Sequence, residues 1–155
     1  KIHIKNQVNA GANIVQIFDS WAGLLPTKYI NDFCFTPNKK LVQYCKSINV
    51  PVICFPKGLK DGYSKFLKEV NPDGLNIDYN VDPQWAKDNL NNTCLQGGMD
   101  PKILLMSEKN IFEEASKYLE IFKNYPYIFN LGHGVLPETD PTTIARLVEF
   151  VRNYK

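Results

Sequence analysis

The sequence has little of several features that mark common protein classes. Its 155 residues carry 18 Lys and Arg against 16 Asp and Glu, and a net charge of +2 disfavours a dedicated nucleic-acid binder. No apolar run approaches the roughly 20 residues of a membrane-spanning helix, and no signal-peptide pattern follows Lys1. A hydrophobic content of 44% excludes disorder as the main state. We expect one globular domain over residues 1–155, with no nucleic-acid or membrane partner.

Metal ligands and paired cysteines are also scarce. The four cysteines are scattered with no Cys-x-x-Cys pair, and there are only two histidines, of which one is near the start. A disulfide framework is therefore not expected, and the cysteine pattern favours a reducing, cytoplasmic location. The same counts predict no metal site. The Gly-rich fingerprints of nucleotide-binding proteins are missing as well.

Apolar patterning predicts alternating strands and helices. Short, near-continuous apolar runs, as expected for parallel strands covered on both faces, occur at residues 13–18, 51–55, 74–78, 93–97 and 127–131. Helical spacing between or after them predicts three amphipathic helices, lined by Leu41, Tyr44, Cys45 and Ile48, by Phe112, Ala115, Leu119 and Phe122, and by Ile144, Leu147, Val148 and Val151. The alternation predicts an α/β fold, either an open doubly wound sheet or part of a (β/α)8 barrel.

One sequence device recurs at the predicted helix starts. Asp-Pro pairs at Asp82, Asp100 and Asp140 each follow a predicted strand, and Thr36 precedes Pro37 in the same way. Asp and Thr side chains accept hydrogen bonds from the free N–H groups of a first helical turn, where Pro is also favoured. We therefore interpret these aspartates as helix caps rather than catalytic groups.

Polar residues after the predicted strands are the candidates for function, because parallel α/β folds place their sites at the carboxyl ends of strands. His133 lies between two glycines, which we expect to leave its ring uncrowded and its backbone free to adopt unusual conformations. Ser20 can donate a hydrogen bond to a carboxylate or form a local turn. Lys57 could attract an anion, although a solvated surface lysine is the simpler interpretation.

Three segments together resemble the uroporphyrinogen decarboxylase family of tetrapyrrole biosynthesis. They are residues 16–23 (QIFDSWAG), 96–101 (QGGMDP) and 130–141 (NLGHGVLPETDP). The resemblance spans essentially the whole chain but only the C-terminal part of the family's sequence. It implies the C-terminal portion, about five β/α units, of a (β/α)8 TIM barrel, without the first three strands and the arginines and aspartate that they carry.

The resemblance also implies a reaction. The family removes carbon dioxide from the four acetate side chains of uroporphyrinogen III, giving coproporphyrinogen III in heme biosynthesis, with no metal or organic cofactor. By their match to the family's motifs, Phe18 packs against the macrocycle, Ser20 bonds a substrate carboxylate, and His133 bonds a carboxylate or assists proton transfer. Asp78 matches an acidic position whose role stays open. A cytoplasmic homodimer is expected for the full-length form.

Two alternatives remain. The chain could be a non-catalytic half-barrel or interaction subunit, since five strands do not close a barrel and leave sheet edges exposed. It could also be a relative of zinc-dependent corrinoid methyltransferases, but Val52 replaces the histidine expected two residues before Cys54. Because the N-terminal residues are missing, we expect the isolated chain to have no decarboxylase turnover.

Overall fold

Helices and strands alternate along the chain. A computed structural model describes residues 1–154. Within these residues there are six α-helices: α1 (Ile2–Asn9), α2 (Thr36–Ser47), α3 (Gly62–Val70), α4 (Pro83–Asn89), α5 (Glu108–Ile121) and α6 (Pro141–Asn153). The same range contains five strands: β1 (Val15–Asp19), β2 (Val52–Pro56), β3 (Gly74–Ile77), β4 (Cys94–Gly97) and β5 (Tyr127–Ile128). All five predicted strands are confirmed, although β5 is shorter than predicted.

The strand order resolves the choice between two architectures. All five strands pair in parallel in the order β1-β2-β3-β4-β5. A doubly wound sheet reverses its order at a switch point, whereas each strand here lies beside the next one along the chain. Right-handed crossovers between sequential strands put the helices that connect them on one face. The chain therefore has the α/β arrangement of part of a TIM barrel.

A side-chain hydrogen bond shows that the sheet is curved. Nε2 of Gln96 in β4 donates to Oε1 of Gln16 in β1 at 3.1 Å. These strands are three positions apart, roughly 14 Å in a flat sheet, where side chains would stand parallel and stay separated. The sheet must therefore bend around the face that carries these two amides, which we call the concave face.

The two faces of the sheet have different surroundings. On the convex face, Val52, Leu75, Ile77 and Leu95 pack with the helices in the main hydrophobic core. The concave face carries the alternate residues of each strand: Gln16, Phe18, Ile53, Phe55, Asn76, Gln96 and Ile128. No helix within residues 1–154 is both long enough and apolar enough to cross a membrane.

The Asp-Pro pairs begin helices as predicted. The carboxylate of Asp82 accepts from a backbone N–H of α4 at 2.7 Å, that of Asp140 from α6 at 2.8 Å, and that of Asp100 from a 3-10 helix at 2.9 Å. Each bond satisfies an N–H that has no partner within its helix. These aspartates are thus caps.

Two helical predictions are wrong. Thr36 does not cap α2, because a π-helical segment, Asn31–Phe35, runs directly into the helix and no side-chain cap forms there. Val148 does not lie on the buried face of α6 but is 43% exposed. The ring of Phe150 stacks on Phe112 of α5, with ring centroids 4.3 Å apart. The face of α6 that packs on the rest of the protein therefore includes Phe150 and leaves Val148 at its margin.

Candidate active site

Phe18 and Ser20 lie together at the carboxyl end of β1. The Phe18 ring meets Phe55 of β2 edge-on, with centroids 6.2 Å apart, yet 67% of Phe18 is exposed. Ser20 is half-buried in the turn that follows, and Trp21 beside it is 74% exposed. The end of β1 therefore carries an exposed apolar ring and, two residues later, a hydroxyl group.

Asp19, between these two residues, is fixed in another direction. Its Oδ2 accepts from Nδ2 of Asn38 in α2 at 3.1 Å, and Asn38 also donates to the Cys34 carbonyl oxygen at 2.9 Å. Burial and the Asp19 charge raise the pKa of the Cys34 thiol, which stays protonated. Because successive strand residues alternate in direction, anchoring Asp19 toward α2 leaves Phe18 on the concave face.

Asp78 is a buried carboxylate at the end of β3 with three donors. It is 1% exposed. Its Oδ2 accepts from the Gly58 N–H at 2.7 Å and the Tyr63 hydroxyl at 2.8 Å, and its Oδ1 accepts from the Asn80 N–H at 2.9 Å. Burial and the Asp78 charge raise the pKa of Tyr63. Asp78 thus ties the loop after β2 and helix α3 to the end of β3.

The loops after β1 and β2 touch through two glycines. A Cβ atom on Gly23 would lie 2.5 Å from the Gly58 carbonyl oxygen, and Gly58 has a φ of +82°. A side chain at Gly23 would collide with backbone, and one at Gly58 would be conformationally strained. The position of the Ser20 turn is therefore coupled to the loop that Asp78 holds.

The turn that carries His133 rests on the ends of β3 and β4. The Gly132 N–H donates to the Met99 carbonyl oxygen at 2.7 Å, and a Cβ on Gly132 would lie 2.4 Å from the Tyr79 nitrogen. His133 follows and is exposed. Our conformational reason for the flanking glycines is wrong, since neither has a positive φ and Gly134 has open space around it. Gly132 is required by a close approach of two backbones.

The contacts among three amide side chains on the concave face were not predicted. Besides its bond to Gln16, Nε2 of Gln96 donates to Oδ1 of Asn76 at 2.6 Å, and Asn76 and Gln96 are 2% and 4% exposed. The strands are therefore not apolar on both faces as predicted. The available signal was the alternation in β3, where Leu75 and Ile77 enter the core and Asn76 faces the other side.

The cysteine named in the zinc-dependent alternative lies on the other face of the sheet. Cys54 is fully buried in the main core, where desolvation raises its pKa to about 12. A thiol must lose its proton to bind a metal, so this environment opposes the role. Among residues 1–154, no three His, Cys, Asp or Glu side chains are grouped closely enough to hold a metal ion.

A separate cleft of about 530 Å³ opens between the loops after β2 and β3. It is lined by Gly58, Asp61, Asp78 and Trp85, among others, and does not include Phe18, Ser20 or His133. The predicted site residues thus lie outside it, on the exposed edge formed by the strand ends.

Comparison with known proteins relates this sequence to one family. The sequence model of the uroporphyrinogen decarboxylase (URO-D) family matches residues 1–154. A uroporphyrinogen decarboxylase of Rickettsia bellii (strain RML369-C) is 44% identical over 155 residues, which cover 99% of this chain and 46% of the relative. One of Orientia tsutsugamushi (strain Ikeda) is 39% identical over 155 residues, or 98% of this chain and 45% of that relative. The chain spans about half the length of the curated relatives that it matches.

Proposed function

The chain belongs to the uroporphyrinogen decarboxylase family, and we propose that it supplies the C-terminal half of the active-site cleft of a uroporphyrinogen decarboxylase. In this proposal the full-length gene product converts uroporphyrinogen III to coproporphyrinogen III by removing carbon dioxide from four acetate side chains. One observation carries most of the weight. His133 is more than 100 residues from Phe18 and Ser20 along the chain, yet all three residues lie at the carboxyl ends of strands in one parallel sheet.

The chemistry of these side chains suits a large anionic macrocycle. Phe18 offers an exposed ring for stacking against pyrroles. Ser20 donates a hydrogen bond to a substrate carboxylate, and His133 bonds a carboxylate or transfers a proton. A pyrrole protonated at carbon accepts the electron pair released when the bond to the departing carboxylate breaks. Groups fixed in advance around that cation lower the barrier, because they need no reorganisation during the reaction.

We extend the proposal to the form of the active protein. The 155-residue chain alone has no turnover, since it spans 46% of the R. bellii relative and its sheet has two free edges, at β1 and β5. The active form is a cytoplasmic homodimer with uroporphyrinogen as its substrate. Sedimentation of the full-length gene product and fractionation of the source cells test these two properties separately.

Replacement of His133 tests the catalytic proposal. In the full-length gene product, His133→Asn should slow coproporphyrinogen formation by about 100-fold or more, the usual effect of losing a proton-transfer group, with unchanged circular dichroism. His3→Asn is the matched control, because His3 is an exposed histidine on α1 and should leave the rate unchanged. An unchanged rate in His133→Asn would reduce His133 to a structural residue. No turnover by the unsubstituted gene product would favour a non-catalytic subunit.

A further inference from the structure

Lys57 lies beside the segment that carries Ser20. It follows the last residue of β2, and its N–H donates to the Asp19 carbonyl oxygen at 3.1 Å. The Lys57 carbonyl oxygen in turn accepts from the Gly23 N–H at 2.9 Å. Ser20 lies between the two residues that make these bonds. The backbone of Lys57 is thus attached to both ends of the Ser20 turn.

The side chain of Lys57 extends over Tyr79, whose backbone contacts the segment that carries His133. Its Nζ lies 5.9 Å from the centre of the Tyr79 ring, within the range in which an aromatic face attracts an ammonium group. Gly132 packs against the backbone of the same tyrosine, so closely that a Cβ atom added to Gly132 would lie 2.4 Å from the Tyr79 nitrogen. His133 is the next residue. Lys57 is therefore linked directly to the Ser20 turn and, through Tyr79, to the segment that carries His133.

The ammonium group of Lys57 has no ion-pair partner in the described part of the chain. None of the ion pairs formed within residues 1–154 includes it. The carboxylates at the ends of β1 and β3 are bonded elsewhere, Asp19 to Asn38 and Asp78 to its three donors. Lys57 is half-buried, so at least part of its side chain is covered by neighbouring residues. An ammonium group without an ion-pair partner is available to pair with an anionic ligand.

We propose that Lys57 is a further substrate-binding residue whose ammonium group pairs with a carboxylate of the tetrapyrrole. This inference rests on the proposed function, which supplies a ligand with eight carboxylates. Ser20, Lys57 and His133 would then present a hydroxyl, an ammonium group and an imidazole along the strand ends. Tyr79 keeps the ammonium between its neighbours while the ligand is absent.

Uroporphyrin III, the stable oxidised form of the substrate, is the binding probe. Titrating it into the full-length gene product and following its fluorescence gives a Kd without any turnover. Lys57→Met should weaken binding about tenfold, as expected for losing one charge-assisted hydrogen bond, and the difference should narrow as ionic strength rises. Lys57→Arg should keep most of the affinity. Lys65→Met is the matched control, because Lys65 also lies over an aromatic ring, that of Phe35 at 5.7 Å, but on α3.

The outcomes separate this inference from the proposed function. Equal affinity of Lys57→Met and the unsubstituted protein, with decarboxylation of uroporphyrinogen intact, would overturn the role of Lys57 and leave the function standing. A loss in Lys57→Arg as large as in Lys57→Met would also overturn it, because charge would not be the cause. If the unsubstituted gene product neither binds uroporphyrin nor decarboxylates uroporphyrinogen, both proposals fail. Lys57→Gln replaces Lys57→Met if that variant does not fold.

Discussion

The bond between Tyr63 and Asp78 should contribute measurably to stability. The Tyr63 hydroxyl donates to Asp78 Oδ2 at 2.8 Å, with Tyr63 0% and Asp78 1% exposed. Tyr63→Phe removes one oxygen atom, keeps the ring, and leaves a buried carboxylate with one donor fewer. Hydrogen bonds to charged groups contribute about 1.5–3 kcal/mol, so the free energy of unfolding should fall by about 2 kcal/mol. At this chain length the loss corresponds to a decrease in Tm of roughly 4–8 °C.

Urea unfolding followed by circular dichroism measures this loss. The control is Tyr154→Phe, since the Tyr154 hydroxyl also donates to a carboxylate, Glu120 Oε1 at 2.9 Å, but on the surface. Water replaces that bond, so the control should unfold at the same urea concentration as the unsubstituted protein. Asp78→Asn turns a carboxylate oxygen into a donor facing other donors and should destabilise more than Tyr63→Phe. A Tyr63→Phe change indistinguishable from the control would refute the reasoning about Asp78.

Three other perturbations test separate features. Gly132→Ala should lower both uroporphyrin affinity and decarboxylation, because its Cβ would lie 2.4 Å from the Tyr79 nitrogen, whereas Gly134→Ala, with nothing within 4 Å, should match the unsubstituted protein. Asp82→Ala removes a cap from α4 and should lower the unfolding free energy by about 1 kcal/mol, and Asp82→Asn should restore most of it; equal thermal stability of the two variants would contradict the cap. The raised pKa of Cys54, from 9.0 to about 12, means that the folded state holds its proton more tightly than the unfolded state. The stabilisation that results from this difference in pKa is complete below pH 9 and is lost as the pH rises toward 12. As the pH rises from neutral toward 12, the free energy of unfolding should therefore fall less in Cys54→Ala than in the unsubstituted protein. Urea unfolding at a series of pH values measures this difference.

Local patterns were sufficient to predict the strands and the α/β class, but not to choose between an open doubly wound sheet and part of a barrel. Apolar runs locate all five strands because each strand places residues in the core on at least one face, as Leu75 and Leu95 do. Asp-Pro pairs locate three helical starts because a cap is a contact between residues two or three positions apart. The prediction that Thr36 caps α2 was wrong for a related reason. The turn before it is itself helical, so no free N–H groups are exposed at that point.

Contacts distant in sequence were not predictable from pattern. Tyr63 and Asp78 are 15 residues apart and lie on different elements, and Gln16 and Gln96 are 80 residues apart. Nothing in the local spacing of either pair signals that the two side chains meet. Ser20 and His133 were candidates because they follow predicted strands, and the family resemblance added Phe18 and connected the three. The proposal that Lys57 also binds the substrate depended on the observed geometry of the loops after β1, β2 and β3.

The most direct test of the proposed site is a crystal structure of the full-length gene product with bound coproporphyrinogen. Our account predicts the macrocycle in van der Waals contact with Phe18, with carboxylates within hydrogen-bond distance of Ser20 Oγ and the His133 ring. A macrocycle seated instead in the cleft between the loops after β2 and β3, against Trp85 and away from those three residues, would contradict it.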